Sequence, residues 1–161
     1  MLIAYIKIAI IGIIATVISG IVLQSIQSKK TPDINMMTTM GTLFTSNIRM
    51  AKWIGILSHV CIGLVMAFIY FEIAGYFGFT SNRDFIYFCT IAGFSQGLIM
   101  SFFYVILIAE HHPLRKFRRA GFAVVAVHGL SHLLYGIILG FSAALIHPEL
   151  EAWSTFGRGI M

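Results

Sequence analysis

Four long apolar runs constrain the fold of this chain more than any other feature of its sequence. They lie at about residues 2–24, 53–75, 85–109 and 121–146. A helix of about 20 apolar residues crosses the hydrocarbon core of a bilayer, and it satisfies its backbone hydrogen bonds internally. We therefore predict an all-α fold, a bundle of four transmembrane helices that forms one integral membrane domain over residues 1–161.

Composition argues against a water-soluble alternative. Hydrophobic residues make up 58% of the 161 residues and charged residues only 11%, whereas a soluble domain carries about 25% charged residues. The net charge is +5, but the basic residues flank the apolar runs, which is typical of a membrane protein and not of a nucleic-acid-binding surface. The predicted partners are the lipid bilayer and also other membrane-protein subunits or a second copy of this chain, but no nucleic acid.

Basic residues also predict the orientation of the helices. They are concentrated in the first and third connections between the runs, and the second connection holds only Arg83. Positively charged loops face the cytoplasm. We therefore predict that loops 25–52 and 110–120 are cytoplasmic and that both termini lie outside. The basic residues of these two loops are Lys29, Lys30, Arg49 and Lys52, followed by Arg115, Lys116, Arg118 and Arg119.

The first connection contains a helix-start signal in the tripeptide Thr31–Asp33, where a threonine can cap the helix and a proline can occupy its first turn. Apolar residues follow at roughly helical spacing, which predicts a short amphipathic helix at the membrane interface. Met36, Met37 and Met40 lie in this segment. Their thioethers suit a Cu(I) ion, but the apolar face of an interfacial helix is the favoured interpretation.

One pattern occurs twice in the chain. Ser58–Phe68 reads SHVCIGLVMAF and Ser131–Phe141 reads SHLLYGIILGF. Each copy lies in the second helix of a two-helix half, so we predict two parallel helical-hairpin repeats related by an axis along the membrane normal. The paired positions are His59 with His132, Gly63 with Gly136, Ala67 with Gly140 and Phe68 with Phe141. The first helices are expected to correspond through small residues, Gly12, Thr16 and Gly20 against Gly93, Gly97 and Ser101.

The repeat places one histidine of each half within the membrane, where histidines are costly and are therefore candidates for function. If the repeat axis runs between the second and fourth spans, His59 and His132 face each other and can be the axial ligands of haem b. Gly63 and Gly136 would then leave room for the macrocycle. Together with His128, the two histidines can alternatively hold a transition-metal ion. The favoured interpretation of the histidines, however, is that they are neutral and only form hydrogen bonds across the helix interfaces.

The sequence contains no recognised catalytic motif, such as Gly-x-Ser-x-Gly, His-Glu-x-x-His or a phosphate-binding loop. We predict no catalytic residues, and an enzyme is the less favoured alternative. The leading functional prediction is a non-catalytic accessory or structural subunit of a membrane complex. The first alternative is a haem- or metal-binding electron-transfer protein, and the second is a small transporter or proton pathway. A further histidine cluster, Glu110–Pro113, is predicted to lie in a solvated loop, although Glu110 and His111 can also extend a metal site.

Several short motifs resemble a family of small bacterial four-helix integral membrane proteins that is catalogued only as a domain of unknown function. The resemblance covers most of the chain and implies four helices in a bacterial inner membrane. It implies no catalytic residue and no substrate. The motifs that carry it are Asp33–Met37, Met40–Thr42, Trp53–Gly55, His59, His112-Pro113 and Ser131–Gly140.

Overall fold

A computed structural model of the protein describes residues 2–30, 35–79, 81–112, 114, 118 and 122–142. The described chain is helical and contains no strand, and four of its helices are long and apolar enough to cross a membrane. The prediction of an all-α chain with four such helices is confirmed. The five helices are α1 Leu2–Lys30, α2 Met36–Gly41, α3 Ile48–Tyr76, α4 Asn82–His111 and α5 Phe122–Ser142.

The first, third and fourth helices extend beyond the predicted spans by up to two turns at one or both ends. A helix does not have to stop where the apolar run stops, because its backbone hydrogen bonds continue in the interfacial region. The last helix ends at Ser142, and residues 143–146 of the predicted fourth span lie outside the described residues.

Asparagine side chains cap two of the helices. Asn35 precedes α2, and its side-chain oxygen accepts a hydrogen bond from the Thr38 amide at 2.9 Å. Asn47 caps α3 in the same way, as expected for this residue type at a helix N-terminus. The predicted start signal at 31–33 lies outside the described residues. After α3 the chain turns at Gly78, whose φ of +70° favours glycine.

The helices are arranged so that α1 lies between α3 and α5, and α4 packs along α5. The short helix α2 packs on α3. By contrast, α3 and α4 share only a small contact. The backbones of α3 and α4 are therefore further apart, and aromatic side chains fill the space between them. The rings of Phe71 and Phe85 have centroids 4.7 Å apart, and the Tyr70 hydroxyl donates a hydrogen bond to Gln96 Oε1 at 2.6 Å.

Small residues bring α1 and α3 close together. A Cβ added at Gly12 would lie 2.6 Å from the Cβ of Ala67, and one added at Gly63 would overlap the side chain of Thr16. One turn further along, a Cβ at Gly20 would lie 3.4 Å from His59 Nε2. Such close approach provides the packing contacts that hold helices together in lipid. We call α1 and α3 the first hairpin.

Small residues also join α4 and α5, which we call the second hairpin. A Cβ at Gly93 would lie 3.0 Å from the Cα of Gly136, and one at Gly97 would lie 2.8 Å from the Cβ of His132. A Cβ added at Gly140 would lie 3.5 Å from the Cβ of Cys89. The glycines of both hairpins are thus used for contact within each hairpin.

The short helix lies in the segment for which an interfacial helix is predicted. All of its residues except Met40 are buried. A Cβ at Gly41 would overlap the backbone of Ala51, and one at Gly55 would overlap the backbone of Met37. The two glycines therefore let α2 dock closely against the start of α3. Its position at the membrane interface stays a prediction.

Candidate functional site

The three intramembrane histidines come from two helices. His59 lies in the middle of α3, and His128 and His132 lie one turn apart on α5. The Nε2 atoms of His128 and His132 are 3.3 Å apart, and their rings meet edge to face with centroids 4.8 Å apart. One of these neutral imidazoles therefore donates its Nε2 hydrogen and the other accepts it.

Two nitrogens of this cluster are buried and have no hydrogen-bond partner among the described residues. They are Nε2 of His59 and Nδ1 of His128. His128 is only 9% exposed. Because nearly all buried polar atoms in proteins form hydrogen bonds, each exception requires an explanation, such as a bound water or ion.

A small cavity joins His59 to His132. It measures about 20 Å³, counted as space that the centre of a water molecule can reach, and this is enough for about one water. Two cross-helix hydrogen bonds flank it, from the Ser131 hydroxyl to the Ser19 carbonyl at 3.2 Å and from the Tyr135 hydroxyl to the carbonyl of Gly63. The polar residues that line it are Thr16, Ser19, His59, Gln96, Ser131, His132 and Tyr135.

A second cavity joins His59 to His128 and is closed by the methionines of the short helix. It measures only about 10 Å³ by the same criterion. Met36 and Met37 are 3% and 5% exposed, so their side chains point into the bundle and not toward its surroundings. The lining residues are Leu23, Met36, Met37, Met40, His59, Tyr104 and His128.

Met37 and His59 also meet beside α1. A Cβ added at Gly20 would lie 3.7 Å from Met37 Cε and 3.4 Å from His59 Nε2, so the methionine end and the unpartnered nitrogen approach the same point. A groove of about 170 Å³ between α1 and α3 reaches this point and has Gln24 in its wall. His59 therefore lines the groove and both cavities.

Hydrogen bonds from other parts of the bundle hold the short helix over the histidines. The Tyr104 hydroxyl donates to the Met36 carbonyl at 2.8 Å, and the Met36 amide donates to Gln27 Oε1 at 3.3 Å. The ring of Tyr104 stacks on His128 with centroids 5.7 Å apart. The methionines and the histidines are therefore positioned by one connected set of contacts.

His112 also fixes this helix, and its placement corrects a prediction. The histidine was expected in a solvated loop, but it is fully buried. Its Nδ1 lies 3.0 Å from the Leu114 amide nitrogen and 3.2 Å from the Leu114 carbonyl oxygen. Its Nε2 lies 3.3 Å from the Thr39 carbonyl oxygen and 3.0 Å from the Thr42 hydroxyl. His112 can be buried because Thr39 and Thr42, at the end of α2, offer these oxygens as partners. His111 is exposed.

The packing does not favour a haem between His59 and His132. A macrocycle needs open space beside both ligands, but Gly63 is filled by Thr16, and a Cβ at Gly136 would overlap the backbone of Cys89. Among the described residues, moreover, no group of three His, Cys, Asp or Glu side chains is placed to hold a metal ion. The cluster of His59, His128 and His132 is therefore not a preformed three-histidine centre.

The proximity of the α2 methionines to the histidines was not predicted from the sequence. Gly55 could have indicated this proximity. It precedes His59 by four residues, as His128 precedes His132 in the second copy of the motif. The missing side chain leaves the space in which the backbone of Met37 lies. A glycine in the middle of an apolar helix face is a sign of close backbone approach.

Comparisons with known proteins add no relative, because no family model, no curated protein and no solved structure matches this chain. Its four long apolar helices are, by length and composition, compatible with a small integral membrane protein. The resemblance to a bacterial family stays a prediction, and the functional argument rests on the histidine and methionine cluster.

Proposed function

We propose that this chain is a small integral membrane protein that binds a transition-metal ion inside the bundle. The observation that carries this proposal is the pair of unpartnered nitrogens, His59 Nε2 and His128 Nδ1, beside one small cavity. A buried polar group without a partner costs about 1–3 kcal/mol. The cavity is at the lower limit of the space that one water needs. A bare metal ion is smaller than a water molecule and can accept a lone pair from each of the two imidazole nitrogens.

In this proposal His132 is a positioning residue and not a ligand. Its Nε2 lies 3.3 Å from the Nε2 of His128. If His128 donates this hydrogen bond, its Nδ1 carries a lone pair and can bind the metal. Metal-binding histidines commonly donate their second ring hydrogen in this way, which fixes the tautomer and the ring orientation.

Metal analysis of protein extracted gently from membranes tests the proposal. We expect about one transition-metal ion per chain in the unsubstituted protein, and loss of this metal in His59→Gln and in His128→Gln. His111→Gln is the matched control, because His111 is exposed, and it should retain the metal. Natively folded protein without metal, or metal retained in both buried-histidine variants, would contradict the proposal. An absorption spectrum of the same samples should show no haem band.

The proton-pathway alternative is less well supported. A pathway needs hydroxyls that pass hydrogen bonds along a chain. In the cavity, Thr16 donates to the Gly12 carbonyl at 2.7 Å and Ser19 donates to the Thr16 carbonyl at 3.1 Å. Both hydroxyls are thus bonded back to their own helix, which is the usual arrangement in apolar helices.

A role as an accessory or structural subunit is the second candidate, and a groove beside α4 favours it. A helix of another subunit or of a second copy has a place to pack in this groove, which is lined by Phe79, Asp84, Tyr87, Phe88, Ile91 and Ala92. The mass of the assembly in lipid nanodiscs tests this role. We expect a co-purifying subunit or a dimer, and a monomer in every preparation would count against it.

We further propose that the two hairpins arose by duplication and lie in a bacterial inner membrane with loops 25–52 and 110–120 in the cytoplasm. The contacts within the two hairpins support the duplication when the first helices are aligned one turn away from the expected register. With loop 25–52 in the cytoplasm, α2 lies at the cytoplasmic interface. A reporter fused within 110–120 and found outside the cell would contradict the orientation. The equivalent contacts are Gly12 with Ala67 and Cys89 with Gly140, Thr16 with Gly63 and Gly93 with Gly136, and Gly20 with His59 and Gly97 with His132.

A further inference from the structure

We infer that the metal bound at this site is Cu(I), and that the methionines of α2 supply sulfur ligands to it beside the two histidine nitrogens. The inference rests on the proposed metal-binding function and adds the identity of the ion and of its remaining ligands. It assigns a chemical role to a methionine cluster that otherwise reads as the apolar face of a short helix.

The geometry supports mixed sulfur and nitrogen ligation. Met36, Met37 and Met40 line the same cavity as His59 and His128. The ends of Met37 and His59 both lie within 4 Å of one point beside Gly20. His59 and His128, each with one unpartnered ring nitrogen, thus line the same cavity as the methionine side chains.

The charge of the site selects a monovalent ion. All of the residues that line the cavity are neutral, and a buried ion without a counter-charge pays a large desolvation cost that rises with its charge. A divalent ion would leave two uncompensated charges inside the bundle, whereas Cu(I) leaves one. Thioethers are soft ligands that prefer Cu(I), and imidazole also binds copper. Calcium and magnesium are disfavoured, because they require several oxygen ligands.

The support of α2 by neighbouring helices keeps the sulfur atoms near the histidines. Tyr104 and Gln27 bond the backbone of Met36, and His112 approaches Thr39 and Thr42 on the far side of the same helix. A binding site needs such support, since its ligands must be held close to the productive geometry.

Competition with a Cu(I) chelator tests the inference, with Cu(I) added to the purified full chain in the absence of oxygen. The variant Met36→Leu with Met37→Leu removes two buried sulfurs. Exchanges of methionine for leucine conserve volume and are well tolerated in packed interiors, so the variant should fold. We expect it to bind Cu(I) at least about tenfold more weakly, the lower end of effects seen when a metal site loses a supporting group.

The matched control is Met50→Leu with Met100→Leu, because these methionines are 56% and 36% exposed on α3 and α4. This control should bind Cu(I) as the unsubstituted protein does. X-ray absorption at the copper edge should show sulfur in the first shell, and this signal should weaken in the buried-methionine variant and stay unchanged in the control. The readout does not depend on any activity.

The possible failures are distinguishable. If Cu(I) binds without sulfur neighbours, or if both methionine variants bind it equally, the sulfur ligands are wrong and the proposed histidine site remains. If the protein binds Zn(II) through His59 and His128 but not Cu(I), the identity of the ion is wrong. If no transition metal binds to natively folded protein, both the inference and the proposed function are wrong.

Discussion

The two hairpins of this protein are packed alike but differ where the site is built. In both, the small residues of one helix face the repeated motif of the other, and one histidine lies a turn below the central glycine contact. In the second hairpin, His132 is bonded to His128. In the first hairpin, the equivalent of His128 is Gly55, and the short helix α2 occupies the space that a side chain would fill.

This difference teaches that the departure from symmetry, and not the symmetry itself, creates the candidate site. A symmetric protein would have two equal histidine pairs, and each imidazole could satisfy its neighbour. In this chain Gly55 stands at the position of the first motif where His128 stands in the second, so His59 has no such neighbour and methionines of α2 line the cavity beside it.

The largest expected effect comes from filling the gap in the first hairpin. In Gly55→Ala the new Cβ would overlap the backbone of Met37, which cannot rotate away as a side chain can. We expect α2 to separate from α3, with a loss of stability at or above the upper end of the 1–3 kcal/mol typical of overpacking. Metal binding should be lost as well.

Thermal unfolding and metal content in one detergent measure this effect. Gly129→Ala is the control in the second hairpin, because the nearest atom to its new Cβ, Ser101 Oγ, is 3.8 Å away, an ordinary contact distance. The control should retain its stability and its metal. Equal behaviour of the two variants would show that Gly55 does not make room for α2.

The central glycines of the two hairpins provide a sharper comparison. A Cβ at Gly136 would overlap the backbone of Cys89, whereas a Cβ at Gly63 meets only the side chain of Thr16. Because a side chain can adopt another rotamer and a backbone cannot, Gly136→Ala should destabilise the protein more than Gly63→Ala, within about 1–3 kcal/mol. Reversible unfolding of both variants in the same micelles measures the difference. The opposite order would mean that the first hairpin is the more tightly packed one.

The smallest expected effect concerns the bond that ties the hairpins together. Tyr135 in the second hairpin donates its hydroxyl hydrogen to the carbonyl of Gly63 in the first. Hydrogen bonds between membrane helices contribute about 0.6 kcal/mol on average, so Tyr135→Phe should lower the free energy of unfolding by about this amount. A loss well above about 2 kcal/mol would mean that the ring, and not only the hydroxyl, has moved.

The four long helices could be predicted from the sequence. An apolar segment that is long enough to cross a bilayer can satisfy its backbone hydrogen bonds in lipid only as a helix or as part of a closed barrel. Sequence reasoning could not predict which helices pack together. The space beside Gly63 on α3 and beside Gly136 on α5 could hold a ligand or a neighbouring helix equally well. Only the contacts with Thr16 and Cys89 show that neighbouring helices fill this space.

The short helix shows the same limit for the candidate site. Met36 and Met37 are far from His128 along the chain, and nothing in their local spacing distinguishes a buried apolar face from one that lies on a membrane surface. Likewise, His112 precedes a charged, loop-like segment in the sequence and yet is fully buried. Its burial depends on oxygens of α2, which are partners that only the tertiary structure provides.

Nitrogen NMR of histidine-labelled protein in bilayers, recorded with and without Cu(I), tests the central claim most directly. Cu(I) is diamagnetic, so the signal of each imidazole nitrogen can be followed. The account predicts that Nε2 of His59 and Nδ1 of His128 shift on addition of Cu(I), while Nε2 of His132 keeps its hydrogen bond to His128. Unchanged signals at His59 and His128, or a shift confined to the exposed His111, would contradict it.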